Sequence, residues 1–192
     1  MNQAESNHGA MFQAADLQTL RRNGHDFGCH TFDHIDCRAA SAAEIAEQGR
    51  LSAAFFQDHG IEDVRSFAFP FGSADLAAKK LLSSGGPALR GITPGVNRDD
   101  IDLNMLKACG LQHDQGGMKR ALAELETLGE QDGWLIIFTH DVCDRPSPWG
   151  VTPADYADLL AAIDASGAEV VTVGEMVDRL VIPVSENSRV AA

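Results

Sequence analysis

His30 and His34 stand four residues apart in the segment Gly24-His25-Asp26-Phe27-Gly28-Cys29-His30-Thr31-Phe32-Asp33-His34. If the residues before His30 form a strand and those after it turn helically, the two rings share one side, because positions i and i+4 are neighbours there. Two neutral imidazole nitrogens roughly 2.0–2.1 Å from one cation are half of a catalytic zinc site, which takes three protein ligands and leaves one position for water. The alternative is a pair of polar loop histidines satisfied by backbone groups. An H-E-x-x-H peptidase is set aside: it needs a Glu directly after the first His on a helix, and Thr31 occupies that place.

Other segments carry groups suited to the same chemistry. Trp134-Leu135-Ile136-Ile137-Phe138 reads as a buried, parallel strand that delivers His140-Asp141 just past its end. Pro70-Phe71-Gly72 closes an earlier strand. Asp33 and Asp36 flank His34 and read foremost as turn caps, with a role as substitute base the lesser alternative. Asp141 is a potential base, or a buried acceptor that orients a neighbour. Cys37 and Cys143 could add metal ligands, whereas Cys29 beside His30 reads as a small buried hydrophobe. His25, His59 and His113 have no partner pattern and read as surface or capping histidines, and His8 lies in a flexible start.

These groups must be positioned by alternating elements. The periodicity predicts a helix ending over 15–23, a strand over 26–30, and a helix opened by Ser41 with Glu44 as its capping-box partner and running to Gly60. A strand over 64–69, a helix over 74–83 and a strand over 89–93 follow. Then come a helix over 118–128, a strand over 133–139, and a helix over 152–165 with Pro153 in its first turn. A last strand over 168–173 and a helix over 174–180 complete the order, with 183–192 a flexible tail. Strand alternating with helix means parallel βαβ units, in which functional groups collect at the C-terminal strand ends. His30, Pro70, Asn97 and His140 all fall just past predicted strand ends.

The 192 residues are 44% hydrophobic and 22% charged, as expected of one globular domain with a real core. A net charge of −13 argues against a nucleic-acid partner, which needs a basic surface, and against anionic membranes. No apolar run approaches the roughly 20 residues that cross a bilayer, and Met1 to His8 has no signal-peptide pattern. Four cysteines without a C-x-x-C pair make no disulfide framework. The default expectation is a cytoplasmic protein.

Taken together, the quoted segments resemble a polysaccharide deacetylase domain, the NodB-homology family of carbohydrate esterases, over about residues 16–177. Gly24 to His34 is similar to the family's G-H-E-I-G-x-H-[ST]-x-x-H metal motif, which implies metal-binding roles for His30 and His34. Phe67-Ala68-Phe69-Pro70-Phe71-Gly72 resembles the R-x-P-Y-G loop, which lines the groove and offers a backbone N–H to the oxyanion, placing Pro70, Phe71 and Gly72 there. Trp134 to Asp141 resembles the strand that ends in the catalytic acid, here His140. The implied fold is α/β, an incomplete (β/α) barrel over residues 1–182. The implied function is a metal-dependent hydrolase, with a divalent cation such as Zn2+, removing an acyl group, N-acetyl above all, from an amino sugar or polysaccharide. The alternative is a non-catalytic relative or inactive fragment that binds metal or carbohydrate without turnover.

The chain departs from the family pattern in two ways. The groove-loop Arg is Ala68 and its Tyr is Phe71. The family's T-F-D-D strand, which supplies the base and a third metal ligand, is absent, and nothing strand-like is expected before Asp16. The resemblance therefore begins after the family's first two strands, implying a piece of a longer protein or a remnant without its base. Open edges at 26–30 and 168–173 then predict self-association by strand pairing. Trp149, in the stiff loop Asp144 to Gly150, could stack on a sugar or cover the following helix. Ile92 to Arg98 and Asp99 to Asn104 could line a sugar groove or form a capped surface turn.

Overall fold

Ser41 opens a helix in the way its spacing predicts. Its backbone N–H and hydroxyl both donate to Glu44, at 2.8 and 2.7 Å, and its Oγ accepts from the Glu44 N–H at 3.3 Å. Orphan donors at the helix start are thereby satisfied. The computed structural model describes residues 5–6, 9–10, 12–84, 86–112 and 116–180. His8, His113 and the expected tail over 183–192 lie outside the described residues.

In chain order the elements are β1 (Glu5–Ser6), β2 (Gly9–Ala10), α1 (Ala14–Arg22), β3 (Phe27–Cys29), α2 (Ala42–Asp58), β4 (Val64–Ala68), α3 (Leu76–Ser83), β5 (Ala88–Arg90), β6 (Cys109–Gly110), α4 (Gly117–Leu128), β7 (Ile137–Phe138), α5 (Pro153–Ser166) and α6 (Val173–Leu180). The expected alternation is present, with three corrections. A two-residue antiparallel ladder, Glu5 opposite Ala10, precedes α1 where no strand was expected. β6 was missed, because two residues are too few to show a period. The predicted strand over 168–173 does not form: Val170 is 78% exposed, no ladder partner lies beside 168–172 among the described residues, and α6 already begins at Val173. Apolar residues alone do not make a strand without a neighbour to accept its hydrogen bonds.

The ladders are parallel. β3, β4 and β5 pair in that order, with Cys29 opposite Phe67 and Ala68 opposite Arg90. β6 pairs β7, with Gly110 opposite Phe138, and an Arg90–Leu106 bridge ties the two sheets together. Between β3 and β4 the register slips, so that Phe27 faces Val64 while Gly28 faces Ser66. Among the described residues β3 is the outer strand of its sheet.

Alternation sends the residues of each strand to opposite faces. Phe67 and Leu89 are buried with Ile45 of α2 and Ala78 of α3. On the other face, Ala88 is buried with Leu106, Ala108, Trp134, Ile136 and Val177 of α6, with Phe138 packed against them. A third cluster, Cys109, Leu111, Ala121, Val151 and Leu159, joins β6 to α4 and α5. α6 is locked across the molecule by Arg65, which donates to both carboxylate oxygens of Asp178 at 2.5 Å, and by Asp26, which accepts from the Gly174 N–H at 2.7 Å. Among the described residues, no helix is long and apolar enough to cross a membrane.

Candidate active site

His30 follows β3 directly, and its Nδ1 lies 2.6 Å from the carbonyl oxygen of Ala68 at the end of β4. A carbonyl only accepts, so Nδ1 carries the hydrogen and the Nε2 lone pair is left for another partner. Backbone carbonyls orient metal-binding histidines in this manner. The His34 ring stands edge-on to His30, with centroids 4.8 Å apart, and Phe71 stands edge-on to His34 at 4.7 Å. The spacing of four thus brings both imidazoles together.

The intervening turn is held in a costly shape. Thr31 and His34 have φ of 59° and 57°, and Phe71 across from them has 58°. Each left-handed non-glycine position costs on the order of 1–2 kcal/mol, and such strain collects where geometry serves a function. Gln48 of α2 holds the turn in place. Its Oε1 accepts from the N–H groups of Phe32 and Asp33 at 2.8 and 2.7 Å, and its Nε2 donates to Asp33 Oδ2 at 2.9 Å. Thr31 Oγ1 accepts from the Ile35 N–H at 3.1 Å. Sequence reasoning passed over Gln48, although a polar residue between Ile45 and Ser52 on an inward stripe was its signal.

Burial is the largest influence on His30 and favours its neutral form, opposed by the Ala68 carbonyl; His34, Arg90 and His140 add repulsion against a proton. Those three side chains are therefore within electrostatic reach of one imidazole. His140 follows β7 and is exposed, with its ring 6.3 Å from Phe138 and 6.5 Å from Trp149. Trp149 is 47% exposed and forms one wall beside His140. Asp141 pins the loop that carries Trp149: it accepts from the Ser147 N–H at 2.9 Å and from the Ser147 hydroxyl at 2.6 Å.

The expected alternatives also find places. Asp36 accepts from the Arg38 N–H at 2.9 Å, as a turn cap does. Cys37 is buried in the core among Ile45, Phe67 and Leu89, and burial pushes its thiol up to about 11. Cys143 lies 3.6 Å from Asp141 Oδ2, to which it donates. Asn97 is buried and bonds Lys107 and Trp134 backbone groups, so it clamps the fold and does not line a groove. His59 caps α2, its Nδ1 2.7 Å from the Phe55 carbonyl.

The imidazole pair fits a cation of the zinc type through a free Nε2 on an oriented ring. Among the described residues no group of three His, Cys, Asp or Glu side chains comes together as a metal site; the His30 and His34 rings are two of the three protein groups that a catalytic zinc site would take.

Comparison with known proteins bears on the same residues. The sequence profile of the polysaccharide deacetylase family matches residues 2–87, a span containing His30, His34 and Pro70 to Gly72. The structure is similar to the Xyl-CE4 domain of a multidomain xylanase from the hindgut metagenome of Trinervitermes trinervoides. That similarity has 18% identity and a TM-score of 0.61, over 87% of this chain and 70% of that one. No curated protein sequence matches the chain. The family match covers the N-terminal part of the chain, and the structural likeness shows an α/β fold of helices and parallel sheets.

Proposed function

We propose that this chain, a polysaccharide deacetylase-type domain by those two matches, is a metal-dependent hydrolase that removes N-acetyl or related acyl groups from a carbohydrate. The observation that carries the reading is the His30 ring, turned by the Ala68 carbonyl to present Nε2 beside His34 and within electrostatic reach of His140. In this reading the strands form an incomplete (β/α) barrel whose C-terminal ends bear the site.

A bound divalent cation supplies carbonyl polarisation and lowers the pKa of a water from about 15.7 towards 7. His30 and His34 hold it. Water adds to the acyl carbon and releases a proton to solvent, the C–N bond breaks, the acyl group leaves as a carboxylate, and the amine departs with a proton. Exposed His140 donates that proton, a role worth about 10²–10⁴-fold in rate. The resemblance of this loop to the family's groove loop implies a backbone N–H for the oxyanion, and we assign it to Phe71, since Pro70 has no N–H and those of Gly72 and Ser73 donate to Phe69 and Pro70 at 2.9 and 3.0 Å. Trp149 offers a face for a sugar ring. Asp33 is the carboxylate between the two ligands in sequence, and its link to Gln48 fixes it there.

The test measures zinc content and acetate release from acetylated chitooligosaccharides and acetylated xylooligosaccharides. We expect zinc-dependent release that is lost in His30→Ala and His34→Ala and strongly slowed in His140→Ala. Zinc binding without release overturns the hydrolase reading in favour of a binding module, and absence of zinc binding overturns the site.

A further inference from the structure

Arg90 is a cation that the reaction outlined above does not use. It ends β5 as the register partner of Ala68, and register partners in a parallel sheet project from the same face. Its guanidinium lies over the Phe138 ring, with Cζ 4.4 Å from the centroid, and Nη1 donates to the Gly91 carbonyl at 3.2 Å. Phe138 leads towards His140, and Ala68 carries the carbonyl that orients His30. The guanidinium therefore lies between the strand whose Ala68 carbonyl orients His30 and the strand that leads to His140.

Room for this arrangement comes from Gly110. A Cβ there would lie 2.9 Å from Phe138 Cζ, so a side chain at 110 would tilt the ring on which Arg90 rests.

Arginine stays charged in proteins, and a desolvated charge is costly unless paired. The aromatic face offsets part of that cost. In a chain with 28 carboxylates against 15 Lys and Arg, ion pairs form at Arg50, Arg65, Lys79 and Arg179, yet none of the described residues pairs with Arg90. Its other N–H groups are not sealed without a partner, because the orphaned buried atom among the described side chains is Nε of Arg98. The planar fork of a guanidinium matches a carboxylate.

We infer that Arg90 is an anion-binding residue of this site and that its ligand is a carboxylate, either the acetate released by deacylation or an acidic substituent of the carbohydrate. The acetate source rests on the hydrolase reading; the carboxylate chemistry does not.

The test uses the full chain stripped of metal, so that it is independent of zinc and turnover. 15N-labelled protein is titrated with acetate, glucuronate and glucose while the arginine Nε–H signals are followed, the Arg90 signal being the one lost in Arg90→Gln. We expect acetate or glucuronate to shift that signal and glucose to leave it still, with Arg90→Gln binding the anion about tenfold or more weakly, as losing a charge-assisted pair requires. Arg90→Lys, which keeps the charge without the fork, is expected to fall between the two. A tighter fit for acetate identifies the released acyl group as the source, and a tighter fit for glucuronate identifies an acidic sugar. An unmoved Arg90 signal, or equal anion binding by Arg90→Gln and Arg90→Lys proteins whose melting matches the parent, overturns the inference. If the anion binds but zinc and acetate release fail, the hydrolase reading falls and the carboxylate site stands.

Discussion

The Nδ1 atom of His30 and the carbonyl oxygen of Ala68 are 2.6 Å apart, and this contact between adjacent strands fixes both the tautomer and the aim of the ring. Because burial and three nearby cationic or titratable groups hold the His30 pKa below its usual value, the neutral ring survives into more acidic solution than that of an exposed histidine. The unfolded chain then binds the proton first as pH falls below about 6.5, so stability from this group is complete above that pH and is lost as pH falls through the folded value. Thermal melts of the metal-free protein from pH 7.5 to 5 should show a decline that is shallower in His30→Gln.

Gln48 should act on metal affinity without touching the metal. Gln48→Ala leaves the Phe32 and Asp33 amides without their acceptor and frees the turn between the histidines. Zinc affinity should fall about 10–100-fold, the range for partners that orient ligands. Isothermal titration with zinc checks this, and a variant that binds zinc like the parent contradicts the role.

Both of these residues show what the sequence could and could not disclose. The spacing of His30 and His34 was legible because a local turn unites them, and the Ser41–Glu44 pair marked α2 for the same reason. Gln48 and Arg90 were not legible as site residues, because their partners are 15 or more positions away and are chosen by strand order and helix docking. The misread segment over 168–173 has a strand's composition, but composition does not supply a ladder partner.

Cys37 provides a second titration, at the alkaline end. Burial raises its thiol from 9.0 to about 11, so the unfolded chain loses its proton first as pH rises. Its contribution to stability is complete below pH 9 and disappears through about 11. Urea unfolding at pH 8 and pH 10.5 should show a loss that Cys37→Ala reduces.

Ser41→Ala removes the acceptor of the Glu44 N–H and the hydroxyl donor to its carboxylate, while the backbone N–H of residue 41 still donates there. A capping residue of this kind is worth about 1 kcal/mol. Urea unfolding should record a loss of that size with zinc affinity unchanged, since the cap lies at the exposed start of α2.

The register slip between β3 and β4 gives Arg65 no counterpart on β3. Were the pairing to run straight on from Phe27 and Val64, His30 would draw level with Phe67, whose ring points into the helix layer. The spare residue acts as a spacer that advances the imidazole by one step, about 3.3 Å along the strand, until it meets Ala68. Shortening β4 by a single residue would thus strip the ring of its anchor while leaving every side chain of the site in the sequence.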